Sequence, residues 1–227
     1  MHSHFDAMDG PVLIMALADG AGSASHSADG ARAGCSAAVH GAMMFIQQYG
    51  ARSITADAVR QIFRDAREEV RRQANETGCR PRDWASTLLI VVMSGQGAAV
   101  AQIGDGSIVI DFGEGFELAF LPDQDMLNVT NFLVDEDAMD VVQVRIFDDI
   151  QPQRVLLTSD GLMPVLIDVR KSAPHTPAVE RFLSVLDDRY VGSDTSELLE
   201  SLLSHEQVNA RTDDDKSIIM AARILAS

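Results

Sequence analysis

The strongest constraint in this 227-residue sequence is the repeated placement of aspartate at the ends of short apolar segments. Three times an apolar run of strand length stops at an Asp-Gly pair, and a run of three aspartates precedes the last apolar run. The carboxylates concerned are Asp19, Asp105, Asp160 and residues 213–215. Strand ends can meet at one edge of a sheet, where gathered carboxylates repel one another unless cations lie between them. Since hard divalent cations prefer oxygen ligands, the pattern predicts a metal site.

A simpler interpretation applies to any single Asp-Gly pair, because most such pairs only mark turns. Asp9-Gly10 is of this kind, and we interpret it as a hairpin turn. Three further pairs and a triple acid, each beside an apolar run, form a pattern that turn preference alone does not explain.

Apolar periodicity predicts an α+β fold. Helical spacing predicts helices over residues 31–46, 59–70, 179–186 and 198–203. Short apolar runs predict strands at residues 11–18, 87–94, 98–103, 107–112, 116–121, 141–147, 154–158 and 218–222. This order lacks regular strand-helix alternation, which favours mostly antiparallel sheets with helices packed outside them. The arginines along the second helix are expected to face water.

Composition and charge restrict the function. The length suits one globular domain spanning residues 1–227. A formal charge of −16 disfavours a nucleic-acid partner. The longest apolar runs are too short to cross a membrane, and the N-terminus lacks a secretory signal. Cys35 and Cys79 form no metal-ligand or disulfide pattern, so we expect a cytoplasmic protein.

Several short motifs lie at residues 18–23 (Ala-Asp-Gly-Ala-Gly-Ser), 86–88 (Ser-Thr-Leu), 103–106 (Ile-Gly-Asp-Gly), 158–162 (Thr-Ser-Asp-Gly-Leu) and 214–217 (Asp-Asp-Lys-Ser). In this order they resemble the motifs of the metal-dependent type 2C protein serine/threonine phosphatases, especially the bacterial branch whose first motif reads Asp-Gly-Ala-Gly-Ser. The family's Asn-x-Thr-x-Phe-Leu segment is matched by Asn128, Thr130, Phe132 and Leu133. The resemblance extends from Val12 to Arg223, and the motifs are specific as a set.

The resemblance implies an αββα sandwich, with two mostly antiparallel sheets flanked by helices, and a binuclear Mn²⁺ or Mg²⁺ centre. Carried over by motif, Asp19 bridges the two metals, the Gly20 carbonyl binds one of them, and Asp160 and Asp214 bind the other. Asp105 matches an aspartate that helps to hold a third, weaker metal. The implied catalytic residues are Asp19, Asp160 and Asp214. The implied reaction is hydrolysis of phosphoserine or phosphothreonine in a protein by a metal-activated water.

The sequence departs from the family pattern ahead of the first motif. Family members carry there a strand with an arginine that holds the substrate phosphate, followed by an acidic pair that completes the metal shell. The first arginine of this chain is Arg32, which lies inside a predicted helix. A separate departure occurs in the last motif, where Asp215 replaces a more usual asparagine. Fewer carboxylates weaken a metal site, and a missing arginine removes a charge-assisted phosphate contact. We interpret the family's first strand as missing, through either a start placed too late or a true divergence into a metal-poor pseudoenzyme, and we expect reduced activity from this chain.

Three functions remain open at this point. The first is an enzyme, the metal-dependent phosphatase; the second is a catalytically inactive phosphatase-like domain that binds a phosphoprotein or a signalling partner. A cation-binding structural module is the third. His26, in the loop after the first motif, is either solvated or placed to contact phosphate or a transferred proton. His2 and His4 are predicted to be solvated and Trp84 to be a packing residue. The sequence does not indicate which oligomeric state the protein adopts.

Overall fold

The computed structural model describes residues 1–121, 130–186 and 195–223. Its strands are β1 (His2–Ala7), β2 (Gly10–Leu17), β3 (Leu88–Ser94), β4 (Gly97–Ile103), β5 (Ser107–Asp111), β6 (Phe116–Leu118), β7 (Gln143–Asp148), β8 (Arg154–Thr158), β9 (Ile167–Asp168), β10 (Ala173–Pro174) and β11 (Ile218–Ala222). Its α-helices are α1 (Ser27–Tyr49), α2 (Ala56–Glu76), α3 (Ala138–Val141), α4 (Met163–Leu166), α5 (Thr176–Leu183), α6 (Thr195–Leu203) and α7 (Glu206–Asn209). Short 3₁₀ helices cover Ala51–Ser53, Pro81–Trp84, Asp160–Leu162 and Ser184–Leu186.

These elements group into two compact units. The first contains the described residues of 1–106 and 124–151, and the second contains those of 107–123 and 152–227. Each unit has its own antiparallel sheet and its own helices.

The sheet of the first unit sets the positions of two motif loops. Within the described residues its strand order is β1-β2-β3-β4-β7, and all neighbouring strands are antiparallel. Leu17 pairs with Leu89, and Leu88 pairs with Ile103. All residues of β3 and β4 are buried, as their continuous apolar sequence predicts.

The two long helices of the first unit pack against each other, and α1 also lies against β2 and β3. Ala38 and Ile46 on α1 and Phe63 on α2 are each 0% exposed. The first turn of α2 is capped by Thr55, whose hydroxyl accepts a hydrogen bond from the Ala58 N–H at 3.2 Å. Because the helices and the sheet share one apolar core, the motif loops at the strand ends rest on a rigid support.

The second unit is built in the same way on a smaller sheet. In the part of the chain that the structure describes, the strand order is β11-β8-β5-β6, with β9 and β10 forming a separate pair. Val109 and Leu156 of the sheet belong to one apolar cluster with Leu166 of α4 and Phe182 of α5. The central strand β8 therefore lies between β5 and β11 and is anchored by the core.

A buried carboxylate closes the turn between β5 and β6. Asp111 is 1% exposed and accepts hydrogen bonds from the Gly113 N–H at 2.7 Å and the Gly115 N–H at 3.2 Å. The guanidinium of Arg154, on neighbouring β8, lies 2.6 Å from its Oδ2 and stacks 4.7 Å above the Phe116 ring. Burial raises the pKa of Asp111, but the hydrogen bonds from Gly113 and Arg154 lower it and outweigh the effect of burial. The pKa of Asp111 therefore lies below its ordinary value.

Neither cysteine is paired, and Cys35 is buried. Burial raises the pKa of the Cys35 thiol to about 11. Among the helices of the described ranges, none combines the length and apolarity that crossing a bilayer requires.

The predicted α+β class with antiparallel sheets is confirmed, and β8 and β11 occupy their predicted ranges. The Asp9-Gly10 turn is also confirmed, since it joins β1 to β2. The sequence missed β1, because exposed His2, His4 and Asp6 alternate with half-buried residues and leave no apolar run. It also missed the short elements α3, α4, α7, β9 and β10. The single-domain expectation stays a prediction, and Asn128 lies outside the described residues.

The expectation that the arginines of α2 face water is wrong for two of them. Arg67 and Arg71 are half-buried, and their guanidinium groups donate to the carbonyl oxygens of Asp135 at 2.5 Å and Val134 at 2.9 Å. Their side chains lie on the face of α2 that meets the segment before α3, and arginine is long enough to bond its backbone. This contact depends on tertiary packing.

Candidate active site

Two of the predicted metal-binding aspartates lie at one edge of the first unit's sheet. Asp19 follows the last residue of β2 by two positions, and Asp105 follows the last residue of β4 by two positions. Both strands run antiparallel to β3, which lies between them, so they end at the same edge. The motif residues Ser86 and Thr87 directly precede β3 and lie at this edge as well.

The backbone of Asp19 is held on both sides by Thr87. The Asp19 N–H donates to Thr87 Oγ1 at 2.9 Å, and the Asp19 carbonyl accepts from the Thr87 N–H at 2.8 Å. The next residue, Gly20, forms an isolated antiparallel bridge with Ser86. A Cβ at Gly20 would lie 2.7 Å from the Ser27 side chain, so this turn requires glycine. The Asp19-Gly20 turn is therefore attached to the start of β3.

A buried polar atom without a partner lies beside this turn. Ser86 is 1% exposed, and its hydroxyl has no hydrogen-bond partner among the described residues. Buried hydroxyls are rarely left unpaired in proteins, so this atom is where an ordered water or a bound polar group is expected.

Asp105 is exposed and bound by a residue distant in sequence. Gly104 precedes it with φ +106°, and a Cβ at Gly104 would lie 2.4 Å from Thr87 Cγ2. The Asp105 Oδ2 accepts a hydrogen bond from the Thr130 hydroxyl at 2.5 Å. The loop after β4 is thus packed against Thr87, while the carboxylate itself is oriented by Thr130.

The other two predicted ligands lie at one edge of the second unit's sheet. The last residue of β8 pairs with the first residue of β11, so Asp160, after β8, and Asp214, before β11, leave the sheet at the same edge. The two loops are joined directly. The Ser159 N–H donates to the Ser217 carbonyl at 3.0 Å, and the Ser217 N–H donates to Ser159 Oγ at 3.1 Å.

The same two loops approach closely at Gly161. A Cβ at this position would lie 2.1 Å from the Asp215 carbonyl oxygen and 3.4 Å from the Asp214 Cβ. The Asp214 Oδ1 accepts a hydrogen bond from the Asp215 N–H at 2.9 Å, which orients its carboxylate. Asp160 is half-buried, whereas Asp214 and Asp215 are exposed. The structure therefore brings Asp160 and Asp214 onto adjacent, mutually bonded loops.

The predicted ligands are all oxygen donors. They are the carboxylates of Asp19, Asp105, Asp160 and Asp214 and the carbonyl of Gly20. This donor chemistry fits Mg²⁺ or Mn²⁺, which are hard cations. Among the described residues, no group of three or more His, Cys, Asp or Glu side chains is gathered closely enough to hold a metal ion. The structure places Asp19 and Asp105 at one sheet edge of the first unit and Asp160 and Asp214 at one sheet edge of the second, and their ligand roles stay predictions.

The remaining candidates have structural contacts of their own. His26 is exposed, and its Nδ1 lies 3.5 Å from Asp29 Oδ2. Its ring is stacked against Trp84, with 6.4 Å between the ring centroids. Trp84 is 6% exposed, which confirms its predicted packing role. His2 and His4 are exposed on the edge strand β1.

The sequence did not assign roles to Thr130 and Ser159. Thr130 was recognised only as part of a motif, although its hydroxyl bonds the predicted metal ligand Asp105. Ser159 joins the loops of Asp160 and Asp214, because its N–H donates to the Ser217 carbonyl and its Oγ accepts from the Ser217 N–H. A serine between a strand and an Asp-Gly pair was the available signal, but its partner becomes adjacent only when β8 pairs with β11.

A separate pocket of about 400 Å³ lies at the other end of β3 and β4. Its walls include Arg52, Gln96 and Asp148. It contains none of the predicted metal ligands, so it is distinct from the acidic edge of the same sheet.

Comparisons with known proteins agree with the motifs and the fold. The model of the family described as Protein phosphatase 2C matches residues 2–204. Serine/threonine-protein phosphatase 3 of Escherichia coli (strain K12) is 31% identical over 219 residues, covering 93% of this chain and 84% of that protein. The structure of the serine/threonine phosphatase Stp1 from Staphylococcus aureus matches with a TM-score of 0.65 at 13% identity, covering 99% of this chain and 88% of that chain. PppA of Pseudomonas aeruginosa matches with a TM-score of 0.55 at 20% identity, covering 98% and 90%.

The structural matches show that the chain shares its fold with Stp1 and PppA. The family match covers most of the sequence, and the chain belongs to the protein phosphatase 2C family. It is accordingly a protein phosphatase, as the motifs predicted. None of these matches favours the catalytically inactive alternative.

Proposed function

We propose that this chain hydrolyses phosphoserine and phosphothreonine in proteins with two Mn²⁺ or Mg²⁺ ions. Asp19, the Gly20 carbonyl, Asp160 and Asp214 bind these ions, and Asp105 contributes to a third, weaker site. The substrate class is supported by the Escherichia coli relative, which is named a serine/threonine-protein phosphatase. The observation that carries the proposal is the position of the carboxylates at the strand ends. Asp19 and Asp105 lie at one edge of the first unit's sheet, and Asp160 and Asp214 lie at one edge of the second unit's sheet.

Bound cations of this kind lower the pKa of a coordinated water and neutralise charge on the transferred phosphoryl group. The role of the chain is to present oxygen ligands in fixed positions. Thr87 holds the Asp19 backbone, because its hydroxyl oxygen accepts from the Asp19 N–H and its own N–H donates to the Asp19 carbonyl. The Asp215 N–H orients the Asp214 carboxylate, leaving further acceptor capacity on it for a cation.

We infer that no side chain of this protein acts as the nucleophile. The sequence has neither a Gly-x-Ser-x-Gly elbow nor a cysteine-based phosphatase loop. Cys35 is buried and its raised pKa keeps it a thiol at neutral pH, which makes it a poor nucleophile.

We also propose that the chain acts as one phosphatase domain in the cytoplasm, on a phosphorylated protein and without a nucleic-acid or membrane partner. The family match includes residues of both units, which supports one functional domain. The net charge of −16 and the two unpaired cysteines support the compartment and the exclusion of nucleic acid.

The proposal is tested by assaying the 227-residue chain on phosphoserine, phosphothreonine and phosphotyrosine peptides in Mn²⁺ or Mg²⁺. We expect turnover of the first two peptides. Asp160→Asn and Asp214→Asn should each lower kcat/KM by about 100-fold or more, because each removes a charged metal ligand.

Asp168→Asn is the matched control, since Asp168 lies in the same unit and pairs with Lys171 at 3.2 Å outside every motif. It should retain wild-type turnover. Turnover that persists in Asp160→Asn, or that needs no divalent cation, contradicts the proposed function.

A further inference from the structure

We propose that Thr130 is a positioning residue for the Asp105 carboxylate and thereby sets the affinity of the weak metal site. This inference rests on the proposed function, because it takes Asp105 as a metal ligand. Its basis is the hydrogen bond from the Thr130 hydroxyl to Asp105 Oδ2 at 2.5 Å.

Asp105 needs such a partner because none of the described residues buries its side chain. Asp105 is exposed, and it directly follows a sharp turn at Gly104, which has a positive φ. An exposed carboxylate on a short side chain samples several rotamers, and ordering it on metal binding has an entropic cost. A donor that already orients the carboxylate reduces that cost. Thr130 is suited to this role because its β-branched side chain has restricted χ1 rotation.

The segment that follows Thr130 is anchored to the same sheet edge. Leu133 is 0% exposed, and its N–H donates to the Ser86 carbonyl at 2.9 Å. The Phe132 N–H donates to Asp135 Oδ2 at 2.8 Å, which closes a turn within the segment. Ser86 also bridges Gly20, so the segment and the Asp19-Gly20 turn share one support.

Helix α2 anchors the segment from its other side. The Arg67 guanidinium donates to the carbonyl oxygens of Asp135 at 2.5 Å and Glu136 at 3.1 Å, and Arg71 donates to the Val134 carbonyl at 2.9 Å. Charge-assisted bonds to consecutive backbone carbonyls fix the path of the chain. Thr130 therefore projects from a segment that is held at both the sheet and the helix.

The bond leaves Asp105 able to bind a cation. A carboxylate has about four lone-pair positions, and the Thr130 hydroxyl uses one of them on Oδ2. With respect to the described residues, the other oxygen stays available in the orientation that this bond selects. Thr130 is thus expected to strengthen cation binding at Asp105 without itself contacting the ion.

The test is a Mn²⁺ titration of the metal-free chain by isothermal calorimetry and by electron paramagnetic resonance of free Mn²⁺. Thr130→Val keeps the side-chain shape and removes the hydroxyl, whereas Thr130→Ser keeps the hydroxyl. We expect Thr130→Val to weaken the weakest Mn²⁺ site about tenfold, within the range known for groups that orient metal ligands, and to leave the tighter sites unchanged. Thr130→Ser, which keeps the hydroxyl and loses the β-branch, should bind Mn²⁺ more tightly at this site than Thr130→Val does.

Two further variants separate positioning from general structural damage. Asp105→Asn should weaken the weak site more than Thr130→Val does, and adding Thr130→Val to it should weaken that site no further, because the two residues act as one unit. Thr77→Val, which removes a hydroxyl that bonds only backbone carbonyls at the end of α2, should bind Mn²⁺ like the wild type. If Thr130→Val does not fold, Thr130→Ala compared with Thr130→Ser provides the same test.

An unchanged weak site in Thr130→Val, or additive effects of Thr130→Val and Asp105→Asn, overturns this inference while leaving the proposed function intact. A wild-type chain that binds no Mn²⁺ and hydrolyses no phosphopeptide overturns both.

Discussion

Gly161 and Asp215 approach so closely that a Cβ on Gly161 would lie 2.1 Å from the Asp215 carbonyl oxygen. This contact presses the turn after β8 against the loop before β11. The two loops carry Asp160 and Asp214, so the spacing of these carboxylates depends on the absence of a side chain between them. Gly161 does not have a positive φ, so backbone conformation does not require glycine at this position. Glycine is needed here because a side chain would prevent the close approach of the two loops.

Gly161→Ala should therefore impair both stability and activity. Overpacking against backbone costs about 1–3 kcal/mol of unfolding free energy, and a 1 Å displacement of a reacting group can reduce kcat about 100-fold. Urea unfolding and phosphopeptide turnover measure the two effects. Gly95→Ala, at a hairpin turn whose nearest contact would be 4.0 Å away, should change neither. If Gly161→Ala keeps the unfolding free energy and the turnover of the wild type, the close approach of the two loops is not required for either.

Thr87→Val should disturb the Asp19 turn. The substitution leaves the Asp19 N–H without the acceptor that it has at 2.9 Å, in a place where Thr87 is 3% exposed. An unsatisfied buried donor costs about 1–3 kcal/mol, so the unfolding free energy should fall by that amount. Thr87→Ser keeps the acceptor and should lose less than half as much. A loss in Thr87→Ser without a loss in Thr87→Val would assign the effect to the Thr87 methyl group instead.

Removal of divalent cations should abolish turnover and lower thermal stability. A ligand present at 100 times its dissociation constant stabilises the folded state by about 2.7 kcal/mol, so saturating Mn²⁺ should raise the Tm of the metal-free chain. Differential scanning calorimetry with and without Mn²⁺ measures this shift. Asp214→Asn should reduce the shift, and Asp168→Asn should preserve it. A Tm that does not respond to Mn²⁺ in the wild type contradicts metal binding to the folded chain.

The Asp111–Arg154 pair should make the second unit sensitive to acid. The pKa of Asp111 is lowered from its ordinary value of 3.8, so the ionised carboxylate stabilises the fold above that pH, and this contribution is lost as pH falls through the lower folded-state pKa. Asp111→Asn should lower the unfolding free energy by about 1–3 kcal/mol at pH 7, because it replaces the buried carboxylate that accepts from Arg154 with a weaker, neutral acceptor.

Urea titrations between pH 7 and pH 3 should show this difference narrowing below about pH 4. Lys171→Ala, which removes the exposed partner of Asp168, should cost less than about 1 kcal/mol at every pH. A difference between wild type and Asp111→Asn that stays constant with pH would rule out ionised Asp111 as the source of the stability.

Much of the fold could be predicted because its signals are local. The ranges of β8 and β11 followed from short apolar runs, and α1 and α2 followed from helical spacing. β1 could not be predicted, because its exposed face carries His2, His4 and Asp6. Its pairing with β2, rather than its own hydrophobicity, makes it a strand.

By itself, the sequence determined the α+β class, the oxygen-ligand chemistry and the positions of the acidic motifs, because periodicity and Asp-Gly pairs are properties of neighbouring residues. Only the tertiary structure decided which acids share an edge, since that depends on strand register. It alone placed Thr130 against Asp105, 25 positions away, and turned Arg67 towards backbone carbonyls 68 and 69 positions away. Contacts between residues so distant along the chain form only when the sheet and helices pack, and no local pattern encodes them.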